Sequence, residues 1–417
     1  MDVVELIPSL RPIVAAVDEL QGRHGRTFLV GGAVRDAFIG AKVIDLDLAI
    51  EGAGIDFARD LAATLGGSAT PYGDFETATV AFAQGSFDVA STRSELYASP
   101  GALPTVEAAG IDDDLLRRDF TMNAMAVALD SAERGVLVDP LGGESDLESG
   151  TLRVIHDASF ADDPTRIVRA ARYEARFRFG LDPHSEALAR ASVTAGYVSK
   201  LSAKRIGSEL SILAREASGI AGFARLDELG AARAIHPSLD FAPAAFDDMR
   251  SAEALNERLG AGAQAWRLRL AVATRTFEPT ERLRWLDSLQ LARPDVDVID
   301  RAAASAPELN ARSASAVSLF DLHQALIGEP LEAVVIALAA AETSASGREK
   351  LGSFLTTLRH VSLTVTGDDL AKLGLAESPA VGRVLNQLLR MKLDGEFATV
   401  DEELEAAREL IRSGELN

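Results

Sequence analysis

Cysteine is absent from the 417-residue chain, which excludes disulfides and thiolate metal sites and makes a reducing compartment, the cytoplasm, the simple expectation. Histidine is scarce. The six residues, at 24, 156, 184, 236, 323 and 360, are too scattered for the converging His/Asp set of a metal-dependent phosphohydrolase, so His156-Asp157 reads as a polar loop pair. Long hydrophobic runs are missing too. The longest, Ala333 to Ala341, falls far short of the about 20 residues that span a bilayer, so no membrane partner is expected. The first twenty residues mix acids among apolar positions and lack a basic segment before an apolar one, so no signal peptide is read. Positive charge is in deficit: 42 Lys and Arg face 63 Asp and Glu, a net charge of −21. That argues against holding nucleic acid through a broadly basic surface; an acidic substrate or an RNA would need a locally basic site. What remains is 47% apolar and 25% charged, enough to bury several cores, and the length predicts two to three domains.

The first 140 residues mix strand-like and helix-like segments, whereas nearly everything after residue 155 has helical spacing. Strands are predicted at Thr27–Val30, Val43–Ile50, Thr77–Phe82, Ser86–Ala90 and Val136–Val138. Helices are predicted at Ala33–Ile39, Ile55–Leu65 and about Asp113–Leu129. From Pro164 onward a series of helices follows, with linkers expected at Ala304–Ser315 and Ser344–Gly347. Trp266 and Trp285 lie in helical apolar patterns and are expected in the core.

Phe28-Leu-Val-Gly31-Gly32-Ala-Val-Arg35-Asp36 is a strand that ends in two glycines and enters a helix, a shape that lets backbone approach a phosphate. Asp45 and Asp47 lie two apart in the next predicted strand, so both carboxylates are expected on one face, opposite Ile44, Leu46 and Leu48. Two carboxylates beside a phosphate cradle suit Mg²⁺-assisted phosphoryl transfer; alone, they would equally suit a solvated strand edge. Asp88 could add a third carboxylate from a neighbouring strand.

These residues, with Arg93-Ser-Glu95-Leu-Tyr97, Leu116-Arg117-Arg118-Asp119-Phe120-Thr121-Met-Asn123-Ala124, Asp139-Pro-Leu-Gly142-Gly143, Asp162-Asp163-Pro164-Thr-Arg166-Ile-Val-Arg169 and Leu201-Ser-Ala-Lys204-Arg205-Ile-Gly-Ser-Glu209-Leu210, resemble class II tRNA nucleotidyltransferases and bacterial poly(A) polymerases. The similarity is continuous over about residues 27 to 210, and weaker near Thr366–Leu370 and Pro379–Gly382. It implies an α+β fold: a polymerase β-like head of mixed sheet and helices (1–148), then an all-helical neck (149–213), body (214–340) and tail (341–417). It implies Asp45 and Asp47 as catalytic metal ligands for Mg²⁺, and Gly31, Gly32 and Arg35 as handlers of the triphosphate. Arg118, Asp119, Asn123 and Arg169 are implied at the nucleotide. The expected partners are CTP, ATP and a tRNA acceptor arm, and the expected reaction is addition of CCA to tRNA. The resemblance also accommodates an A-adding enzyme, a poly(A) polymerase or a catalytically silent RNA-binding relative, though the last should lack the carboxylates.

Asp163-Pro164 reads as the start of a helix running to about Phe179, with Arg166 within one turn of Asp162 and Asp163. Cytosine and adenine share an exocyclic amine donor beside a ring-nitrogen acceptor, so a carboxylate and a guanidinium together can choose them over guanine and uracil. The resemblance assigns that role to Asp163 and Arg166, with Arg118 assisting; otherwise Asp163 caps the helix and pairs with Arg166. Arg169, Arg172 and Arg176 cluster on one side of the helix, either for phosphates or for local acids. The family usually has Glu where Asp162 stands, and its tail Pro-Gly-Pro run begins here with Glu377 and Ser378. Residues 151–210 carry 10 basic and 7 acidic side chains, so the acidity lies outside the neck.

Overall fold

The computed structural model describes residues 3–73, 76–239, 241–340 and 343–413. It divides into two units, one of Met1–Leu213 with Ala221–Pro237, the other of Ala214–Ile220 with Ser238–Asn417. In the first, strands β1 (Thr27–Val30), β2 (Asp47–Ile50), β3 (Ser68–Tyr72), β4 (Thr77–Phe82) and β5 (Gly85–Ser91) are followed by a hairpin of β6 (Arg93–Leu96) and β7 (Thr105–Ala108). Then come β8 (Ala126–Ala128) and β9 (Leu137–Val138). Seven of them form a mixed sheet in the order β3-β4-β5-β2-β1-β8-β9, with β6 and β7 paired separately. All four residues of β1 are buried, as an interior strand requires. Phe28, Val30, Ala49, Leu115 and Ala126 share one core, which ties the sheet to the Ile111–Leu116 helix.

The antiparallel register of β1 and β2, Leu29 opposite Leu48, sets the end of β1 beside the start of β2. The parallel register of β2 and β5 puts Asp47 opposite Asp88. One edge of the sheet therefore collects the glycine turn and two carboxylates.

Several expectations are corrected. The strand predicted from Val43 begins at Asp47: β1 turns away at Gly31, and on the other side the last ladder bond is Asp88 N–H to the Leu46 carbonyl at 3.0 Å. Asp45 thus precedes the ladder and does not alternate with Asp47 along a strand. The helix predicted over Asp113–Leu129 is instead the Ile111–Leu116 helix, a 3-10 turn at Thr121–Asn123, and β8. The apolar run at 124–129 is buried on both faces, where helix and strand patterns look alike. The strands β3, β6 and β7 were not foreseen.

In the second unit the supposed linker Ala304–Ser315 is the end of a 23-residue helix, Arg293–Ser315, which carries Pro307 in its interior. Its small residues are a packing stripe, with Ala302, Ala306, Leu309 and Ser313 buried. Ser344, from the other supposed linker, caps the Ala345–Thr356 helix by accepting from Gly347 N–H. Trp266 and Trp285 are buried as expected. The C-terminal segment has its own core of Val365, Leu370, Val384, Leu388, Phe397 and Ala407. The expected start of the tail at 341 and its last four residues lie outside the described residues. Among the described residues no single helix is long and apolar enough to cross a membrane.

Candidate active site

A cavity of about 410 Å³ opens in the first unit, lined by Gly31, Gly32, Arg35, Asp47, Arg118, Asp119, Asn123, Asp163, Arg166 and Arg169; of the three expected carboxylates, Asp45 and Asp88 do not line it. A larger cleft of about 640 Å³ beside Gly52–Arg59 lacks such a convergence of cations, so the smaller one is the candidate site.

The floor is the β1 turn. Gly31 has φ +69°, a conformation that favours glycine, and a Cβ there would lie 2.6 Å from Arg118 Nη1 and displace that guanidinium. Its own N–H is taken by the Met125 carbonyl at 3.2 Å, which leaves the helix-start N–H groups from Gly32 onward to approach a ligand. Arg118 donates to Asp114 at 2.9 Å, while its Nε is buried without a hydrogen-bond partner among the described residues. An orphaned cationic donor at a glycine turn suits an anionic group.

Asp47 is pulled two ways. Burial pushes its carboxyl above the ordinary range, Arg118 draws it down, and Asp88 and Asp45 push it up again. Asp88 accepts from the Thr79 hydroxyl at 2.6 Å. Among the described residues no group of three or more His, Asp or Glu side chains is close enough to hold a metal by itself. Mg²⁺, however, is usually held by one or two carboxylates plus substrate phosphates, and all-oxygen donors that repel one another fit such an ion.

Other candidates are committed to partners inside the wall. Arg35 is buried, donates to Asn123 Oδ1 at 2.7 Å, pairs with Asp36 at 2.7 Å and lies over the Phe177 ring. Asp119 accepts from Asn123 at 2.9 Å and pairs with Arg169 at 2.6 Å. Burial alone would raise the Asp119 carboxyl, but Arg169 and Asn123 outweigh it and hold it below the ordinary range. Arg169 also reaches Glu209 at 3.0 Å, and Arg172 stacks on Tyr173. These groups brace the Thr165–Phe177 helix against the head.

Asp163 and Arg166 meet in the cavity without pairing. Asp163 Oδ1 accepts from the Thr165 N–H at 2.9 Å, the Thr165 hydroxyl at 2.6 Å and Arg205 at 2.7 Å. Arg166 instead donates to the carbonyl of Arg117 at 2.7 Å. The N-cap position is Pro164, so Asp163 stands one residue before it and takes the Thr165 N–H from there; its pairing with Arg166, which the capping reading also required, is absent. Asp162 lies 3.9 Å from His156, and Asp157 pairs with His184 at 2.8 Å. The cavity wall also contains Glu95 and Tyr97, from the Arg93–Tyr97 segment that carries part of the resemblance, together with Arg117 and Tyr173. Asp114, only 1% exposed and holding both Arg117 and Arg118, was missed altogether; its position three and four residues before them in a helix was the available signal.

A family model described as the poly A polymerase head domain matches residues 27–153. Over 97% of its length the chain is 30% identical to the CC-adding tRNA nucleotidyltransferase of Deinococcus radiodurans, of which it covers 94%. The chain belongs to the tRNA nucleotidyltransferase family. It is also similar to the A-adding tRNA nucleotidyltransferase of Geobacter sulfurreducens, at 34% identity over 97% of this chain, and spans about half (48%) of that relative's length. Among solved structures, the Thermotoga maritima CCA-adding enzyme complexed with tRNA matches with TM-score 0.78 and 26% identity, over 99% of each chain. Nucleotidyltransferases of this kind are generally metal-dependent.

Proposed function

We propose that the chain adds C and A to the 3′ end of tRNA from CTP and ATP without a nucleic-acid template. The observation that carries this is the convergence of Asp47, the glycine turn, Asp163 and Arg166 on one cavity. The RNA 3′-hydroxyl would attack the α-phosphate in line, with pyrophosphate leaving. Mg²⁺ held by Asp47, with Asp45 and Asp88 at hand, would neutralise the phosphates and activate the hydroxyl. Arg118 would face the triphosphate, while Arg35, Asp119, Asn123 and Arg169 keep the wall in register. Asp163 would accept from the base amine and Arg166 would donate to the adjacent ring nitrogen. Guanine and uracil, presenting the opposite polarity, would leave both groups unpaired. In this reading residues 1–148 serve as head, 149–213 as neck, and the helices beyond as body and tail along the tRNA arm.

A second reading, addition of the terminal A alone, is favoured by the similarity to the Geobacter A-adding enzyme. Glu95 and Tyr97 in the cavity wall fit either. Purified protein given tRNAs ending at the discriminator base, at C and at CC, with CTP, ATP or both, separates them. C incorporated on the shortest tRNA together with A on the CC end supports full CCA addition; A incorporated only on the CC end supports the second reading. Long A tracts on unstructured RNA would instead indicate a poly(A) polymerase, and no incorporation anywhere would refute the proposal.

A further inference from the structure

A second cavity, of about 530 Å³, opens in the second unit and shares no lining residue with the candidate active site. Its walls come from the Ala265–Thr274, Arg293–Ser315 and Leu331–Ala339 helices and the residues just after them. Ala271, Ala302, Ala306 and Ala337 line it and are all buried, so methyl groups face a space that larger side chains would fill. Two polar features interrupt this apolar wall. The Asn310 amide Oδ1 is buried with no hydrogen-bond partner among the described residues. Pro307, inside the same helix, has no N–H to give the Ala303 carbonyl, a bond that a helix interior otherwise makes. Both Ala303 and Pro307 lie in the wall. Arg275 stands there too, but it pairs with Asp248, so its charge is already answered.

We propose that this cavity is a binding site for a small, flat, mostly apolar molecule with one N–H donor, of the indole type, held by that donor on Asn310 Oδ1. A buried acceptor without a donor is costly, and most such groups in folded proteins find a partner. Water answers this one poorly, because a buried water takes about two to four polar partners and a wall of methyl groups offers few. A nucleoside triphosphate is excluded by charge: Arg275 is the one basic residue in the wall among the described residues, and Asp248 already holds it. A carboxylate or phosphate fits no better, since Asn310 Oδ1 and the Ala303 carbonyl both offer lone pairs and would face another acceptor. An apolar ring with a donor meets both demands at once, with its faces against the alanines and its N–H on the free oxygen. Concave, largely apolar spaces between helices with one or two placed polar groups are where small molecules bind.

The test titrates the full chain, isotope-labelled at its alanine methyl groups, with indole and with benzofuran, which has the same shape but a ring oxygen in place of the N–H. Indole is expected to bind with a dissociation constant on the order of 0.1–1 mM and to shift the methyl resonances of Ala302, Ala306 and Ala337 by its ring current. Benzofuran should bind about tenfold more weakly, because it sets an acceptor against an acceptor. Asn310→Leu, which removes the acceptor at similar volume, should bring the two affinities within about twofold of each other. Ala306→Leu should abolish binding of both by filling the space, and Ala340→Leu, at a partly buried position of the same wall, asks the same question if Ala306→Leu does not fold. Unmoved methyl resonances at about 5 mM indole, well above the expected constant, would overturn the site. Equal affinities for the two probes in the unaltered protein, or a preference for indole that survives Asn310→Leu, would overturn the ligand class and the part played by Asn310. Shifts that persist in both filled variants would put the indole elsewhere and overturn the proposal as well.

Discussion

Asp47 and Gly31 show how a few atoms define this site. Asp47 is the carboxylate that both the sheet register and the cavity bring to the glycine turn, whereas Asp45 stands outside the wall. Asp47→Ala is therefore expected to lower kcat at least about a hundredfold while the protein stays folded; incorporation at near-normal rates by such a variant would remove Asp47 from the chemistry. Gly31→Ala places a methyl against Arg118 Nη1 in a left-handed conformation. It should lose about 1–2 kcal/mol in urea unfolding and weaken nucleotide binding; an unchanged KM for nucleotide would show that Arg118 does not face it. Most of this site was legible because its chemistry depends on residue types at short spacing: two glycines ending a strand, and a carboxylate and a guanidinium three apart. The braces were not. Glu209 reaches Arg169 from forty residues away, while Asp114 and Tyr173, although close in sequence to the arginines they hold, look like an ordinary surface acid and a core aromatic.

Among the elements, Thr27–Val30, Gly32–Phe38, Gly54–Thr64 and Thr165–Phe177 agree with the expected bounds to within two residues, while the all-apolar run at 124–129 and the Ala-rich end of Arg293–Ser315 do not. The strand Ala126–Ala128 reads as helix because nothing in an all-apolar run reveals its period, and the end of Arg293–Ser315 reads as a linker because small residues and Pro307 resemble one. The head and the Thr165–Phe177 helix are joined through Asp119 and Arg169, and the Ile111–Leu116 helix is tied to Arg117 and Arg118 through Asp114. Burial alone would raise the Asp114 carboxyl, but Arg118 and Arg117 prevail, so Asp114 and Asp119 both lie below their ordinary 3.8. A depressed carboxylate contributes stability above its unfolded value and loses that contribution as pH falls through the folded one. Unfolding free energy should therefore drop below about pH 4, and Asp119→Asn should both destabilise the protein at pH 7 and flatten that drop. Parallel acid profiles for the two proteins would show that the pair does not set the acid limb. In the C-terminal segment, Glu403 is fully buried and accepts from the Thr364 and Val365 N–H groups at 2.7 and 2.8 Å and from Lys392 at 2.8 Å. Glu403→Ala leaves those donors unpaired and should cost about 2–4 kcal/mol, read as earlier loss of protection in hydrogen exchange across residues 363–413.

For the whole molecule, the charge of −21 limits how RNA can be held. Of the basic residues between 151 and 210, Arg166, Arg169, Arg172 and Arg205 turn inward to build the site, and Arg153 and Arg190 are paired at the surface. Arg176, Arg178, Lys200 and Lys204 are exposed as well, Arg176 with Asp36 at 3.9 Å. If these cations make the phosphate contacts, about four counterions are released on binding. The logarithm of tRNA affinity should then fall with the logarithm of salt at a slope of about −3 to −4. Replacing Lys200 and Lys204 together by Ala should flatten the slope by about 1.5 to 2, roughly equally for every tRNA, because phosphate contacts position the duplex without reading it. Binding isotherms at several salt concentrations check this. A slope near −10 would mean that many more cations engage than this face provides, and an unchanged slope in the double variant would place the phosphates elsewhere. With so few contacts and an acidic surface around them, unstructured polyuridine should compete far more weakly than tRNA. Specificity for one shaped RNA then comes partly from repulsion of the rest of the chain against RNA that does not fit.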